Sequence, residues 1–343
     1  MEILLALFFY PAVYLLVLVF SIMYILMFIK EAWARCGTFL HPRERDKAPS
    51  CLHDVNIGSH HTLTLGRREN LNIHYVANGS REKPLMLFLH GFPDFWYGWR
   101  YQLKEFSKDY YAVAIDLTGC GQSSKPDAVK RYRMLEIAKD VKECITELGY
   151  SSCVLVGHDW GGGIAYNVAG EFPDVVSELI ILNTPHPGAF LRGLFSMKQL
   201  MMSSYMFFFQ LCYLPEYFLS YGDFAIFDSS LNGRVFTNLE NFTRDDLEAY
   251  KYNFQKSGFT TPLNYYRMAF EKPTKKMLTM RITMPAIIIW GTGDQVLSPA
   301  LAAPSAKYFD QVDVKYIDGV AHWPHVDQPE TVNRYIREFF DSL

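Results

Sequence analysis

Cys153-Val154-Leu155-Val156-Gly157-His158-Asp159-Trp160-Gly161-Gly162-Gly163 is the stretch that decides the fold of this chain. A short run rich in β-branched residues ends abruptly in small residues, and residues 164–172 that follow it have a helical pattern. This order is typical of a nucleophile elbow, in which one side chain stands on a strained turn between a strand and a helix. The neighbours two before and two after that side chain must be small, and here they are glycines.

The residue at the apex of this predicted elbow is Asp159, where a serine is usual. A carboxylate attacks an sp³ carbon and leaves an ester that must then be hydrolysed at the enzyme's own carbonyl. A serine esterase is therefore excluded. The Gly-x-Asp-x-Gly pattern alone also fits a glycine-rich turn of another parallel sheet, so the rest of the chain has to decide between the two.

Length and composition set the first limits. The 343 residues are enough for one large α/β domain with an insertion, or for two ordinary domains. Half of the residues are hydrophobic and the formal net charge is −3, which favours neither a nucleic-acid-binding surface nor an acidic disordered tail. The six cysteines are scattered without CxxC spacing, so neither a disulfide framework nor a zinc site is indicated.

An uncharged run occupies residues 3–29 at the N-terminus. It exceeds the roughly 20 residues that span a bilayer and the core of about 7–15 residues in a signal peptide. We therefore expect a transmembrane helix over residues 3–29, followed by a juxtamembrane linker over residues 30–56 that mixes prolines and charges without a period. The alternative is a signal peptide cleaved at Ala32-Trp33-Ala34, which is disfavoured because the charges precede the cleavage site and not the apolar run.

The charges beside this run predict an orientation. Only Glu2 and the amino terminus precede it, whereas five cations follow it: Lys30, Arg35, Arg43, Arg45 and Lys47. The positive-inside rule then places the large C-terminal part in the cytoplasm, with the endoplasmic reticulum as the expected membrane. Two glycosylation tripeptides, which begin at Asn78 and Asn241, argue the other way.

Residues 57–343 alternate between strand and helix patterns. A period of two on both sides of residues 66–70 predicts an antiparallel hairpin at the edge of a sheet. Apolar strand patterns follow at residues 85–89, 111–115, 153–157, 178–182, 286–290 and 312–317, and helical patterns at residues 99–106 and 132–148. The predicted fold class is α/β, with a mostly parallel sheet wrapped by flanking helices.

One long region, residues 186–270, breaks this alternation. It has no clear strand pattern, and it is rich in aromatic residues. We interpret it as a helical lid inserted over the C-terminal edge of the sheet. An aromatic helical stretch of this kind also fits an ordinary hydrophobic core.

Two further residues complete a chemical pattern downstream of the elbow. Asp294 follows one predicted strand and His322 follows the last one, so an acid and a base each lie on a loop at the C-terminal end of a strand. Each has an ordinary structural explanation when taken alone. The order nucleophile, acid, histidine is far more specific.

With these motifs the sequence resembles the epoxide hydrolases of the α/β-hydrolase fold, over residues 56–343, and the membrane-anchored members in particular. The matching motifs are His90-Gly91-Phe92-Pro93, the Asp159 elbow, the Asp294 loop and His322. The resemblance also implies two lid tyrosines, Tyr205 and Tyr266, although Tyr265 adjoins the second and a shift by one residue stays open. A cis bond between Phe92 and Pro93 is implied too.

The resemblance implies a two-step mechanism. Asp159 attacks the strained carbon while the Tyr205 and Tyr266 hydroxyls, neutral at pH 7, donate to the ring oxygen. His322, oriented by Asp294, then activates water against the ester. The oxyanion is expected to bind the backbone N–H groups of Phe92 and Trp160, and no metal or organic cofactor is required.

Three questions stay open at this point. A haloalkane dehalogenase also uses an elbow aspartate followed by tryptophan, but it needs a halide donor, typically an asparagine after His-Gly, where this chain has Phe92. A catalytically silent membrane scaffold with the hydrolase fold is the other alternative. The aromatic lid of a membrane-tethered domain favours an apolar epoxide of the kind that lipids supply, while the individual epoxide and the oligomeric state cannot be read from the sequence.

Overall fold

The computed structural model describes residues 2–34, 42–67, 71–229, 237–238, 240–271 and 273–343, with the backbone alone for residues 2–10, 31–32, 34 and 229. Parts of three predictions lie outside this range. They are the hairpin turn at residues 68–70, the linker at residues 35–41 and the lid at residues 230–236 and 239.

The described residues build one eight-stranded sheet. Its strands are β1 (Ser59–Leu65), β2 (Leu71–Asn78), β3 (Leu85–Leu89), β4 (Tyr111–Ile115), β5 (Cys153–His158), β6 (Val176–Leu182), β7 (Ala286–Gly291) and β8 (Val312–Ile317). The spatial order is β1-β2-β4-β3-β5-β6-β7-β8. β2 is antiparallel to β1 and β4, and the other neighbours are parallel, so the predicted hairpin edge and mostly parallel sheet are confirmed.

The central strands are short apolar runs because both of their faces are covered. Every residue of β3, β4, β5 and β7 is buried, as expected for parallel strands between two layers of helices. The C-terminal ends of these parallel strands meet at one edge of the sheet. The loops that carry the predicted elbow, acid and histidine therefore converge there.

Fourteen helices surround or precede the sheet in the part of the chain that the structure describes. They are α1 (Glu2–Ala34), α2 (Arg100–Phe106), α3 (Met134–Glu147), α4 (Trp160–Glu171), α5 (Pro187–Gly193), α6 (Met197–Met202), α7 (Ser204–Phe208), α8 (Leu214–Ser229), α9 (Arg244–Ser257), α10 (Thr260–Ala269), α11 (Lys275–Thr279), α12 (Ala302–Ala306), α13 (Pro324–Asp327) and α14 (Pro329–Asp341). Helices α3, α4 and α12 contribute to a core on one face of the sheet, and α2 and α14 to a core on the other.

The lid lies between β6 and β7, where the described residues form helices α5 to α11 and no strand. Its helices join the second core through buried aromatic rings such as Phe208, Tyr250 and Phe254. α9 begins with a capping box, in which Thr243 and Asp246 satisfy each other's backbone N–H groups.

The structure adds two features at the start of the chain. α1 continues past residue 29 to Ala34. Beyond residue 41 the guanidinium of Arg45, only 6% exposed, donates to both carboxylate oxygens of Asp223 and to Glu248. Asp223 lies in a left-handed break inside α8, and this bidentate ion pair ties that break to Arg45.

Candidate active site

Asp159 stands at the turn between β5 and α4, as the sequence predicts, with φ 51° and ψ −121°. Its two flanking glycines allow this turn through close backbone approach. A Cβ on Gly157 would lie 2.5 Å from the Gly161 carbonyl oxygen, and one on Gly161 would lie 2.1 Å from the Leu89 carbonyl oxygen. The strained turn therefore depends on both glycines, and it directs the Asp159 side chain to the C-terminal edge of the sheet.

The predicted acid and histidine meet Asp159 at this edge. Nδ1 of His322 lies 2.8 Å from Oδ2 of Asp294, and Nε2 of His322 lies 3.3 Å from Oδ2 of Asp159. The second oxygen of Asp294, Oδ1, accepts the backbone N–H groups of Val296 and Leu297 at 2.7 and 2.9 Å. All three side chains are buried, so their charges interact in a region with little water to screen them.

Burial and charge act in opposite directions on the pKa of His322. Burial lowers it, but the charge of Asp294 and the hydrogen bond with Asp159 outweigh this effect and raise the pKa from 6.5 to about 10. His322 is therefore protonated at neutral pH. The ion pair joins one imidazolium to two carboxylates.

One of the two predicted oxyanion donors points directly at Asp159. The backbone N–H of Phe92 donates to Oδ1 of Asp159 at 3.0 Å, from a loop in which the Phe92-Pro93 peptide bond is cis. His90 holds this loop, because its Nε2 accepts from the Leu117 N–H and its Nδ1 then donates to the Gly91 carbonyl oxygen. The second predicted donor, Trp160, follows Asp159 as the first residue of α4.

The two lid tyrosines come from different helices and meet over this carboxylate. Tyr205 lies on α7 and Tyr266 on α10, with ring centroids 5.8 Å apart. Burial raises the pKa of both well above 10, and the nearby charge of Asp159 raises it further. Both phenols are therefore neutral donors, and the rings of Phe92 and Trp160, at 5.4 and 4.9 Å from Tyr266, make their surroundings apolar.

The structure distinguishes Tyr266 from its neighbour Tyr265. The Tyr265 hydroxyl donates to the Thr118 carbonyl oxygen at 2.8 Å, and its ring packs in the core with Tyr132. Tyr265 therefore has a structural partner, whereas the ring of Tyr266 packs against Phe92 and Trp160, the residues of the two predicted oxyanion donors.

Two positioning residues escaped the sequence-based prediction. Asn183, at the end of β6 with φ 42°, donates to Oδ2 of Asp294 at 2.7 Å and accepts from the Gly291 N–H at 3.0 Å. Gln210 donates to the Tyr266 carbonyl oxygen at 2.9 Å and to that of Met206 at 3.0 Å, so it links the helices of the two tyrosines. Asn183 could have been found from the sequence, because it is a polar residue directly after a buried strand. Gln210 has no such signal.

A separate group of buried ligand-type side chains lies beneath His322. Donor atoms of Asp94, His158 and His325 lie within 4.8 Å of one another. His158 donates from Nε2 to the His322 carbonyl oxygen at 2.7 Å, and burial lowers its pKa well below 6.5, so it is neutral. Through His158 this group holds the backbone of His322.

Comparisons with known proteins agree with this geometry. A family model for the alpha/beta hydrolase fold matches residues 84–329. Epoxide hydrolase 4 of Homo sapiens is 39% identical over 310 residues, covering 88% of this chain and 84% of that protein. Epoxide hydrolase 1 of Caenorhabditis elegans is 41% identical over 279 residues, covering 80% and 69%.

A solved structure extends the comparison to three dimensions. The epoxide hydrolase of Bacillus megaterium, crystallised with an inhibitor, superposes with a TM-score of 0.73 at 32% identity, covering 82% of this chain and 100% of that chain. A sequence likeness of this extent, together with an aspartate at the elbow, leaves one assignment. The chain belongs to the epoxide hydrolases of the α/β-hydrolase fold.

Proposed function

We propose that this protein hydrolyses apolar epoxides to vicinal diols through an alkyl ester of Asp159. One observation carries the proposal. A carboxylate occupies the elbow, with one oxygen bound by the Phe92 N–H, the other facing His322, and two neutral phenols close by. This set supplies a nucleophile for carbon, a base for water and hydrogen-bond donors for a departing oxygen.

In the first step Oδ2 of Asp159 bonds to a ring carbon while the carbon–oxygen bond of the epoxide breaks. Oδ1 stays on the Phe92 N–H as the future ester carbonyl. Tyr205 and Tyr266 donate to the departing oxygen, which takes up one proton. The imidazolium of His322 supplies that proton through a tyrosine hydroxyl, so a neutral ester, a neutral imidazole and neutral phenols remain.

In the second step water attacks the ester carbonyl carbon and His322 takes one of its protons. The negative oxygen that forms is Oδ1, which the Phe92 N–H already contacts, and the Trp160 N–H is the second donor proposed for it. The second proton of the water leaves with the alcohol oxygen of the diol. Asp159 returns as carboxylate and His322 as imidazolium.

The charge on Asp159 determines at which step His322 can act as a base. Before the first step this charge helps to raise the pKa of His322 to about 10. At neutral pH the ring is therefore protonated and cannot act as a base. Ester formation removes the charge and the hydrogen bond, so the pKa falls. His322 therefore becomes a base only when there is an ester to hydrolyse.

The two alternative functions differ in what they need beside the nucleophile. A dehalogenase needs donors for a halide, whereas here two neutral phenols are placed for an oxygen leaving group. A silent scaffold needs none of the hydrogen bonds that orient His322 and Asp294. The observed arrangement favours the epoxide hydrolase.

Product analysis tests this function. Full-length protein in detergent is incubated with fatty-acid, terpenoid and aryl epoxides, and the diols are quantified by mass spectrometry. We expect diol from at least one apolar class, and none above background with Asp159→Asn. Halide release from haloalkanes without diol formation, or no turnover of any epoxide by folded protein, would contradict the proposal.

We also propose that α1 anchors the protein in a membrane, the endoplasmic reticulum, with the catalytic domain facing the cytoplasm. The helix has the length and composition to span a bilayer over Pro11–Lys30, and cations follow it. Carbonate extraction should leave the protein in the pellet, and protease added to sealed microsomes should digest the catalytic domain. Glycosylation at Asn78 or Asn241 would show the opposite orientation.

A further inference from the structure

The second half of the candidate membrane span packs directly on the lid. Phe20 lies against Phe207, and Tyr24 stacks on Phe208, with ring centroids 5.4 and 5.1 Å apart. The Tyr24 hydroxyl also hydrogen-bonds to Ser204 at 3.1 Å. The span is therefore seated on α7 of the lid.

The same contact continues towards the end of the span. Phe28 packs edge-on against Tyr217 and Tyr221 of α8, at 5.7 and 4.9 Å. At 1.5 Å per residue, the eight residues from Phe20 to Phe28 cover about 12 Å along the helix axis. The lid therefore contacts the span over about 12 Å of its length.

The opposite side of this part of the span remains apolar and uncovered. Its exposed side chains are Ile22, Leu26 and Ile29. In a membrane-anchored protein such aliphatic side chains lie among lipid chains or at the boundary with the head groups. Lid atoms at the same level along the helix must then lie at the same depth.

Exposed apolar residues lie in the segments that lead into α7 and α8, the lid helices on which the span packs, and we call them the lid rim: Phe195, Met197, Met201 and Tyr213. Tyr213 is 86% exposed and accepts from the backbone N–H of Tyr217, which contacts Phe28. Met201 lies three residues before Ser204, the partner of Tyr24. Phe195, 89% exposed, begins the segment that leads to Met201.

We propose that the lid rim inserts into the boundary between the head groups and acyl chains of the bilayer that α1 crosses. Exposed large apolar residues of this kind are costly in water and favourable at that boundary. The segments that carry these residues lead into the helices on which the span packs, which favours lipid over a protein partner. The proposal rests on the membrane attachment proposed above.

This placement also concerns the chemistry. α7 carries Tyr205 directly after Ser204, the residue that Tyr24 of the span contacts. An apolar epoxide concentrates in the bilayer, so the lid that covers Asp159 lies where this substrate is most abundant. The lid rim is then the surface past which substrate reaches the enzyme from the membrane.

An environment-sensitive label tests the depth of the lid rim. Cys212, exposed and adjacent to Tyr213, is a natural attachment point once Cys36 and Cys51 are replaced by serine. The full chain is reconstituted in phosphatidylcholine vesicles, and the label is exposed to nitroxide lipids that quench at the head group or along the acyl chain. The control carries Cys212→Ser and Asp174→Cys, an exposed site in the turn that leads into β6.

We expect nitroxide lipids to quench the label at Cys212 and not at position 174. The double change Phe195→Asp with Met197→Asp should reduce the quenching at Cys212 while the protein stays in the pellet after carbonate extraction. Equal, weak quenching at both sites in protein that stays in the pellet would overturn the insertion of the lid rim and leave the anchor standing. Loss of the wild-type protein into the carbonate supernatant would overturn both.

Discussion

Nε2 of His322 lies 3.3 Å from Oδ2 of Asp159, so the base that we propose for the second step is in contact with the nucleophile that we propose for the first. The contact is an ion pair in the free enzyme, because the pKa of His322 is raised to about 10. Once Asp159 is alkylated the partner is a neutral ester. The two steps of the reaction are thus linked by one change of charge.

Replacing His322 by glutamine should separate the two steps. His322→Gln removes the base for ester hydrolysis and also the imidazolium that supplies the proton of the first step. We therefore expect alkylation to slow and the ester, once formed, to accumulate with a stoichiometric mass increase on the peptide that contains Asp159. Intact-protein and peptide mass spectrometry after addition of epoxide measures this. Wild-type enzyme is the control and should turn over without accumulation. An unmodified Asp159 in a folded variant that still forms diol would contradict the covalent route.

Oxygen labelling distinguishes nucleophilic attack from general-base hydrolysis. In a single turnover of wild-type enzyme in ¹⁸O-water, the label should enter the Asp159 carboxylate, because water attacks the ester carbonyl. The first diol should then carry an oxygen from the protein. Label in that first diol with none in Asp159 would mean that Asp159 only activates water.

Removing one phenol at a time tests the two oxygen donors. Tyr205→Phe or Tyr266→Phe keeps the ring and deletes the donor, so alkylation should slow by roughly 10²–10⁴-fold if that hydroxyl supplies acid catalysis, with a smaller change in substrate binding. Pre-steady-state ester formation is the measurement. Tyr265→Phe is the matched control, because its hydroxyl bonds to the Thr118 carbonyl oxygen instead. Full activity of Tyr266→Phe with loss in Tyr265→Phe would reverse the assignment.

The raised pKa of His322 also predicts a pH dependence of stability. Its folded-state pKa of about 10 exceeds the ordinary 6.5, so the ion pair stabilises the fold fully below about pH 6.5 and this contribution is lost as pH rises towards 10. The melting temperature in detergent should therefore fall over that range. His322→Gln should show a flatter profile there. Parallel profiles for the two proteins would mean that the pKa of His322 is not raised in the fold.

Asn183 offers a test of how the acid is positioned. Glycine adopts φ 42° without strain, so Asn183→Gly removes the side-chain amide and leaves the backbone unstrained. Asn183→Ala removes the amide and also introduces backbone strain. Loss of the hydrogen bond between Asn183 and Asp294 should lower the free energy of unfolding by about 1–3 kcal/mol. Because Asp294 is then less well oriented, both variants should hydrolyse the ester more slowly and accumulate it. Only Asn183→Ala should lose further stability. Unchanged ester hydrolysis in Asn183→Gly would show that the amide does not position Asp294.

Local patterns explain why the elements and the reacting groups were predictable. Apolar runs such as residues 85–89 form buried strands because both faces of a parallel sheet are covered. Glycines around Asp159 reveal the elbow because no larger residue fits there. Asp294 and His322 follow strands that all end at one edge, so their order along the chain already brings them together.

The positioning contacts could not be predicted because they depend on packing between distant segments. Gln210 bonds to the backbone of Tyr266, 56 residues further along the chain, and no local pattern indicates that partner. The same holds for Arg45 and Asp223, which are 178 residues apart. No local pattern indicates the two acidic partners from the lid that compensate the buried charge of Arg45.

Phe20, Tyr24 and Phe28 pack on the lid, so a shortened protein without α1 would lose contacts of the lid. Cutting the chain after residue 29 would remove one wall of the lid and uncover Phe207, Phe208 and Tyr221, which are buried here. Such a fragment would differ from the natural enzyme at the helix of Tyr205 as well as in its solubility. Rates measured on it would describe an enzyme altered at its active site, and detergent-solubilised full-length protein is the appropriate reference for kinetics.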